Sequence, residues 1–191
     1  VNMPRDNIER AIKKGTGEAG DGAEIVALTY EAFLPGGVGL IVECLTDNRN
    51  RTSSEIRNLI EKNGGSMAAA HAVGRLFERK GVIAISADDA AEERVVEVAA
   101  EAGADDVVSQ HGIHEITCRP EVFESVLKAL EAAGIKTIRA GVQPVPLVSV
   151  PLDAEAARRV MKLVNLLEDH DDVNEVYANF DISDEVMAKL S

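Results

Sequence analysis

A concentration of hydrogen-bond donors falls at residues 48–51, where Asn48, Arg49, Asn50 and Arg51 join an apolar stretch ending at Thr46 to a helix-periodic one. Two guanidiniums, two amides and the free N–H groups at the positive end of the following helix make this chemically an anion site. The same residues admit a second reading. Asp47 and Asn50 would organise the strand-to-helix turn while Arg49 and Arg51 pair with Glu31, Glu43 or other carboxylates. Nothing in the residues themselves separates the two.

Other chemistry finds little support. The histidines stand at 71, 111, 114 and 170, and His111 and His114 alone are spaced closely, across an expected hairpin turn. Metal ligation needs more than that spacing. Residues 168–172, Glu-Asp-His-Asp-Asp, lack the glycine-centred calcium loop and read as a solvated charge cluster. No Gly-x-Ser-x-Gly elbow occurs, and Cys44 and Cys118 have no assignable base. Both read as buried free thiols. Gly36 and Gly37 follow Pro35 and serve a turn; no phosphate-cradling glycine pattern is present.

The chain has 191 residues and a net charge of −13, with 46% hydrophobic and 28% charged residues. That composition is globular, and its charge opposes generic phosphate binding, so any nucleic-acid contact must be local. Aromatics make up 3% and Trp is absent, which removes a base-stacking platform. No apolar run approaches the roughly 18 residues of a membrane span. The chain opens at Val1 almost directly into a helix, and residues before position 1 are expected to be missing.

The elements that must position the donor cluster follow from periodicity. Asn2, Pro4, Ile8, Ala11, Ile12 and Gly15 mark a short first helix carrying Arg10, Lys13 and Lys14, followed by a glycine-rich linker. A hairpin is expected about Pro35-Gly36-Gly37. Then comes a helix with a Thr52–Glu55 capping box, a stripe of Ile56, Leu59 and Ile60, and a stop at Gly64 or Gly65. Residues 71–86 read as a strand pair broken near Lys80-Gly81. From Ala87 the pattern is αββαβ, a small domain of ferredoxin-like character. Pro144, Pro146 and Pro151 mark a boundary and an edge strand. Asp153 caps a long helix with stripe Ala157, Val160, Met161, Val164 and Leu167, and residues 173–182 return as a strand.

The segments at 3–18, 30–52, 76–83 and 171–182 resemble, in order and spacing, the YebC family, which includes the mitochondrial translational activator of cytochrome c oxidase. The resemblance implies a multi-domain α/β (α+β) protein: a remnant of an N-terminal helical domain with its linker (1–22), a discontinuous middle α/β domain (23–86 plus 148–191), and an inserted α/β domain (87–147). It implies a non-enzymatic regulator of gene expression, without cofactor, that binds DNA or acts as a translation factor at the ribosome. Two departures stand out. The basic stretch that usually opens family members is absent, and Ala72-Val73-Gly74-Arg75 replaces a Ser-Val-Ala-Tyr-like strand.

The resulting expectation is a cytoplasmic protein, mitochondrial if the source is eukaryotic, contacting DNA or ribosomal RNA. Arg49 and Arg51 are the phosphate contacts, Asn48 and Asn50 fix the loop, and Arg10, Lys13 and Lys14 extend the patch. Arg79 and Lys80 are weaker candidates. No membrane or small-molecule partner is expected. The rivals are a ferredoxin-like small-molecule-binding or protein-interaction module, and a metal-dependent hydrolase using surplus carboxylates and His170.

Overall fold

The computed structural model describes residues 25–190. The first helix, with Arg10, Lys13 and Lys14, lies outside the described residues. The chain divides into two compact units, one running to Leu76 and resuming at Pro146, the other spanning Phe77–Val145.

In the first unit, strands β1 (Val26–Leu34) and β2 (Val38–Thr46) form an antiparallel hairpin in register from Val26 opposite Thr46 to Leu34 opposite Val38. Gly37 N–H donates to Leu34 C=O at 3.2 Å. Pro35 presets the turn and Gly36 takes the positive φ, 89°, that its third position requires. Helix α1 (Arg49–Lys62) follows, then the short strand β3 (Ser66–Met67), giving with β9 (Val173–Ala178) the sheet order β3-β1-β2-β9.

Alternate residues of β1 and β2 face α1 and α4 (Ala154–Glu168). Ala32, Leu34, Leu40, Val42 and Cys44 pack with Ile56, Ile60, Ala157, Val160, Leu163 and Leu167 in one buried core. Burying each of these isoleucines and leucines contributes about 1.5–3 kcal/mol. Asp153 caps α4 as expected, its carboxylate accepting from Ala156 N–H at 2.8 Å. Leu163 rather than Met161 completes the buried stripe.

The opposite sheet face is strapped by residues 68–76. The Glu31 carboxylate accepts from the backbone N–H groups of His71, Val73 and Gly74 at 2.9, 2.6 and 3.2 Å. Val73 is buried over Gly39, where a β-carbon would stand 2.8 Å from its Cγ1. Residues 71–76 are therefore a loop and a 3₁₀ turn, not the first half of a strand pair. Nor do residues 173–182 form one strand. Asn179 is buried, its side-chain oxygen accepting from Gly39 N–H at 2.7 Å and its amide donating to Val148 C=O at 3.1 Å. Past that bend, β10 (Phe180–Asp181) pairs in parallel with β8 (Val150–Pro151), and α5 (Asp184–Leu190) closes the unit.

The second unit is βαββαβ: β4 (Phe77–Ser86), α2 (Glu92–Glu101), β5 (Asp106–Gln110), β6 (Ile113–Cys118), α3 (Phe123–Ala132) and β7 (Arg139–Pro146), in sheet order β5-β6-β4-β7. Ile83, Ile85, Val95, Val98, Ile116, Val126 and Leu130 fill its core. The boundary expected after residue 86 is corrected to Leu76/Phe77, because β4 pairs with β6 from Gly81–Cys118 to Ser86–Ile113. Lys80-Gly81 does not break it. Gly81 sits mid-strand, and a β-carbon there would stand 2.7 Å from both Cys118 Sγ and Phe123 Cδ2. Gly81→Ala should therefore destabilise the second unit by about 1–3 kcal/mol, read as a lower denaturant midpoint at unchanged m-value.

Candidate nucleic-acid interface

The donor cluster is organised by a carboxylate that the sequence reading placed among solvated charges. Asp172, immediately before β9, is 3% exposed, and its backbone C=O accepts from Leu45 N–H at 2.9 Å. Its side chain lies against the end of β2 and the first turn of α1. Thr52 Oγ donates to Asp172 Oδ2 at 2.7 Å and Thr46 Oγ approaches the same oxygen at 3.2 Å. Arg51 Nη2 reaches both carboxylate oxygens, at 3.0 and 3.2 Å, and Asp47 Oδ1 at 3.2 Å.

The helix start follows from the same group. Asn48, not Thr52, is the N-cap, and its side-chain oxygen accepts from Arg51 N–H at 3.1 Å. Asn48's own N–H donates to Thr46 Oγ at 2.9 Å. Thr52 is thus inside the first turn, fully buried, its hydroxyl 2.7 Å from Asp172 Oδ2, 2.8 Å from Thr46 Oγ and 3.0 Å from the Asn48 carbonyl oxygen. The expected capping box does not form. Glu55 turns instead to His170 Nε2, at 3.0 Å. His170 Nδ1 accepts from Asp172 N–H at 3.1 Å, which places the imidazole proton on Nε2, donated to Glu55.

Burial pushes the Asp172 carboxyl up, but the hydrogen bonds from Thr52 and Arg51, the Arg51 charge and the Thr46 hydroxyl outweigh it and hold the group below its ordinary value of 3.8. The Cys44 thiol is pushed up to about 12 by burial and by the nearby Asp172 charge. Cys118 is raised by burial first and by Asp105 second. Both stay protonated thiols, unsuited to nucleophilic attack or ligation at neutral pH.

Glu55, His170 and Asp172 bring ligating atoms within 4.8 Å of one another, and no other such grouping exists among the described residues. Their chemistry does not fit an ion. Both imidazole nitrogens are engaged, and the Asp172 oxygens are taken by Arg51 and the threonine hydroxyls.

The two arginines thus part company. Arg51 is an ion-pair partner, though of Asp172 and Asp47 rather than of Glu31 or Glu43. Arg49 is exposed, with no ion pair or hydrogen bond among the described residues. Asn50 is also exposed, its backbone C=O accepting from Ser54 Oγ at 2.9 Å. In the second unit, Lys80 lies 3.8 and 3.6 Å from Glu78 and Asp105, and Arg79 is exposed on β4. The sequence places Glu55, Arg57, Asn58 and Lys62 on the exposed side of α1, and in the structure Arg57 and Asn58 line a shallow groove there with Asn50, Ser53, Ser54 and Glu61. Its signal was legible in the 3.6-residue spacing of polar, mostly uncharged side chains.

A model of the TACO1/YebC second and third domain matches residues 25–180. A probable transcriptional regulatory protein of Thermobifida fusca is 49% identical over 190 residues, which is 100% of this chain and 76% of that protein. Its counterpart in Rubrobacter xylanophilus is 47% identical over 191 residues, with the same coverage. The crystal structure of a conserved hypothetical protein from Aquifex aeolicus matches with a TM-score of 0.84 at 44% identity, over 97% of this chain and 76% of that one.

The depressed Asp172 carboxyl sets a pH dependence. A carboxyl lowered on folding stabilises the native state above its unfolded value and loses that contribution as pH falls through its folded value. Asp172→Asn should therefore cost about 3 kcal/mol at neutral pH. The gap from the parent protein should be full above pH 3.8 and close as pH falls below it. Denaturant titrations across that range read the effect.

Proposed function

The chain belongs to the TACO1/YebC family, and from that premise we propose that it is a non-enzymatic regulator of gene expression acting in the cytoplasm through direct contact with nucleic acid. The observation that carries this reading is the exposed Arg49, without an ion pair among the described residues, beside Asn50 at the start of α1, in a helix that also carries Arg57 and Lys62 and whose Glu55 is turned to His170. Within a chain of net charge −13, this is a local departure in sign. The names of the curated relatives, probable transcriptional regulatory proteins, support the regulatory role. No helix among the described residues is long and apolar enough to cross a membrane.

Arg51 and Asn48 serve this surface indirectly. Arg51 holds the first turn to Asp172, and Asn48 caps it, so that Arg49 projects from a fixed helix end. Phosphate contacts of this kind position a protein without choosing the polymer. The two arginines expected as phosphate contacts thus divide: Arg49, with Asn50 beside it, touches the partner, while Arg51, with Asn48, builds the platform.

A second reading assigns an interaction role to the βαββαβ unit, whose Val108 and Ile113 are 44% and 41% exposed. Sedimentation of the protein across a wide concentration range tests it, since self-association through that unit would raise the mass.

The main reading has a direct test. Arg49→Ala with Arg57→Ala should leave folding stability within about 0.5 kcal/mol. Binding to nucleic acid should weaken, and the slope of log affinity against log salt should shrink by up to about two contacts' worth. Unchanged affinity and slope would refute the contact. Arg51→Ala, by contrast, should lower stability.

A further inference from the structure

Helix α4 buries Ala157, Val160, Leu163 and Leu167 and carries a second stripe on its outward side. There Arg158, Met161, Lys162, Asn165, Leu166 and Asp169 line a shallow groove, at the alternating three- and four-residue spacing of a single helix face. Leu166 is 38% exposed, and Met161, which the apolar periodicity would bury, lines this groove instead. Read toward the C-terminus, the groups run cation, apolar, cation, amide, apolar, anion. Set antiparallel against itself, the stripe brings first against last, second against fifth and third against fourth. Arg158 then faces Asp169, Met161 faces Leu166, and Lys162 faces Asn165. In the same register the exposed Arg159, held by Glu155 within its own chain, meets the exposed Glu168. No two like charges are set opposite each other.

We propose that this face of α4 is a self-association surface whose occupant is a second copy of the chain, packed antiparallel about a two-fold axis level with Leu163 and Val164. A two-fold contact requires a surface complementary to itself, each pairing occurring twice, and this stripe meets that condition along its whole length. Other occupants fit it worse. A polyanion would set its phosphates against Asp169 and Glu168 and against the apolar side chains between the cations, and an acidic peptide would meet the same two carboxylates. Copies of a chain with net charge −13 repel at a distance, so contact is favoured where cations stand ready to pair. Arg158 and Lys162 provide them. From Arg158 to Asp169 the face spans about 16 Å, roughly three helical turns. That is a small patch against the roughly 1,200–2,000 Å² of a stable interface, so the dimer is weak and concentration-dependent. The face shares no residue with the α1 surface and stands independently of the nucleic-acid contact.

Sedimentation equilibrium of the whole chain at physiological salt tests this with two single variants, Asp169→Arg and Arg158→Glu. Both positions are exposed and neither belongs to the core, so the fold is retained. The parent should pass from the mass of one chain to that of two as concentration rises. Each variant alone sets like charges opposite each other twice per dimer, and should raise the midpoint concentration by about tenfold or more. Mixed in equal amounts, the two variants regain opposite charges at both contacts, and the mixture should dimerise near the parent's midpoint. That restoration also shows that both variants are folded. Arg159→Glu and Glu168→Arg, mixed in the same way, read the same register a second time. A parent that stays monomeric overturns the proposal, as does a dimer whose midpoint no variant moves, which would place self-association elsewhere, for instance on the βαββαβ unit. Variants of both pairs that stay dissociated when mixed overturn the antiparallel register.

Discussion

The buried carboxylate of Asp172 is the constraint around which the first unit's working end is arranged. A charge at 3% exposure is tolerable only when its lone pairs are met, and here Thr52, Thr46 and Arg51 meet them. Those partners come from the last residue of β2 and the first turn of α1, while Asp172 itself leads β9. One side chain thus ties β9 to the junction of β2 and α1, 120 residues earlier in the chain at Thr52. The ladder between β2 and β9 shifts register between Glu43 and Cys44, close to the point where Asp172 docks.

Fixing the helix entrance this way separates the roles of two neighbouring arginines. Arg51 is pointed inward by a carboxylate pair; Arg49, two residues earlier, is on the turn's other side and faces solvent. The His170 imidazole extends the clasp, engaging the Asp172 backbone on one nitrogen and Glu55 on the other. Glu55 stays exposed while held by this contact, and the groove lined by Asn50, Ser53, Ser54, Arg57 and Asn58 is also lined by Glu61.

Much of this architecture is legible in the chain. Pro35-Gly36-Gly37 between two apolar runs specifies the first hairpin, Asp153 specifies the start of α4, and Ile56 with Ile60 specifies which side of α1 is buried. The errors share a cause. The Thr52–Glu55 capping box is a local pattern overridden by Asp172, which lies 120 residues from Thr52 and cannot be seen in a local window. Asp172 itself was lost in a run of charges, because nothing within residues 168–172 marks the last as the buried one. Gly81 reads as a strand break, yet its missing side chain makes room for Cys118 and Phe123. Asn179 gave no local sign that it would end a strand by bonding Gly39, 140 residues away.

The central claim is that the outward face of α1 is where this protein meets its nucleic acid. Photocrosslinking of the full chain to bound nucleic acid in cells, followed by mass spectrometry of the crosslinked peptides and sequencing of both polymers, reads that face directly. The account predicts crosslinks within Arg49–Lys62. Crosslinks confined to Phe77–Val145, with α1 unmarked, would contradict it.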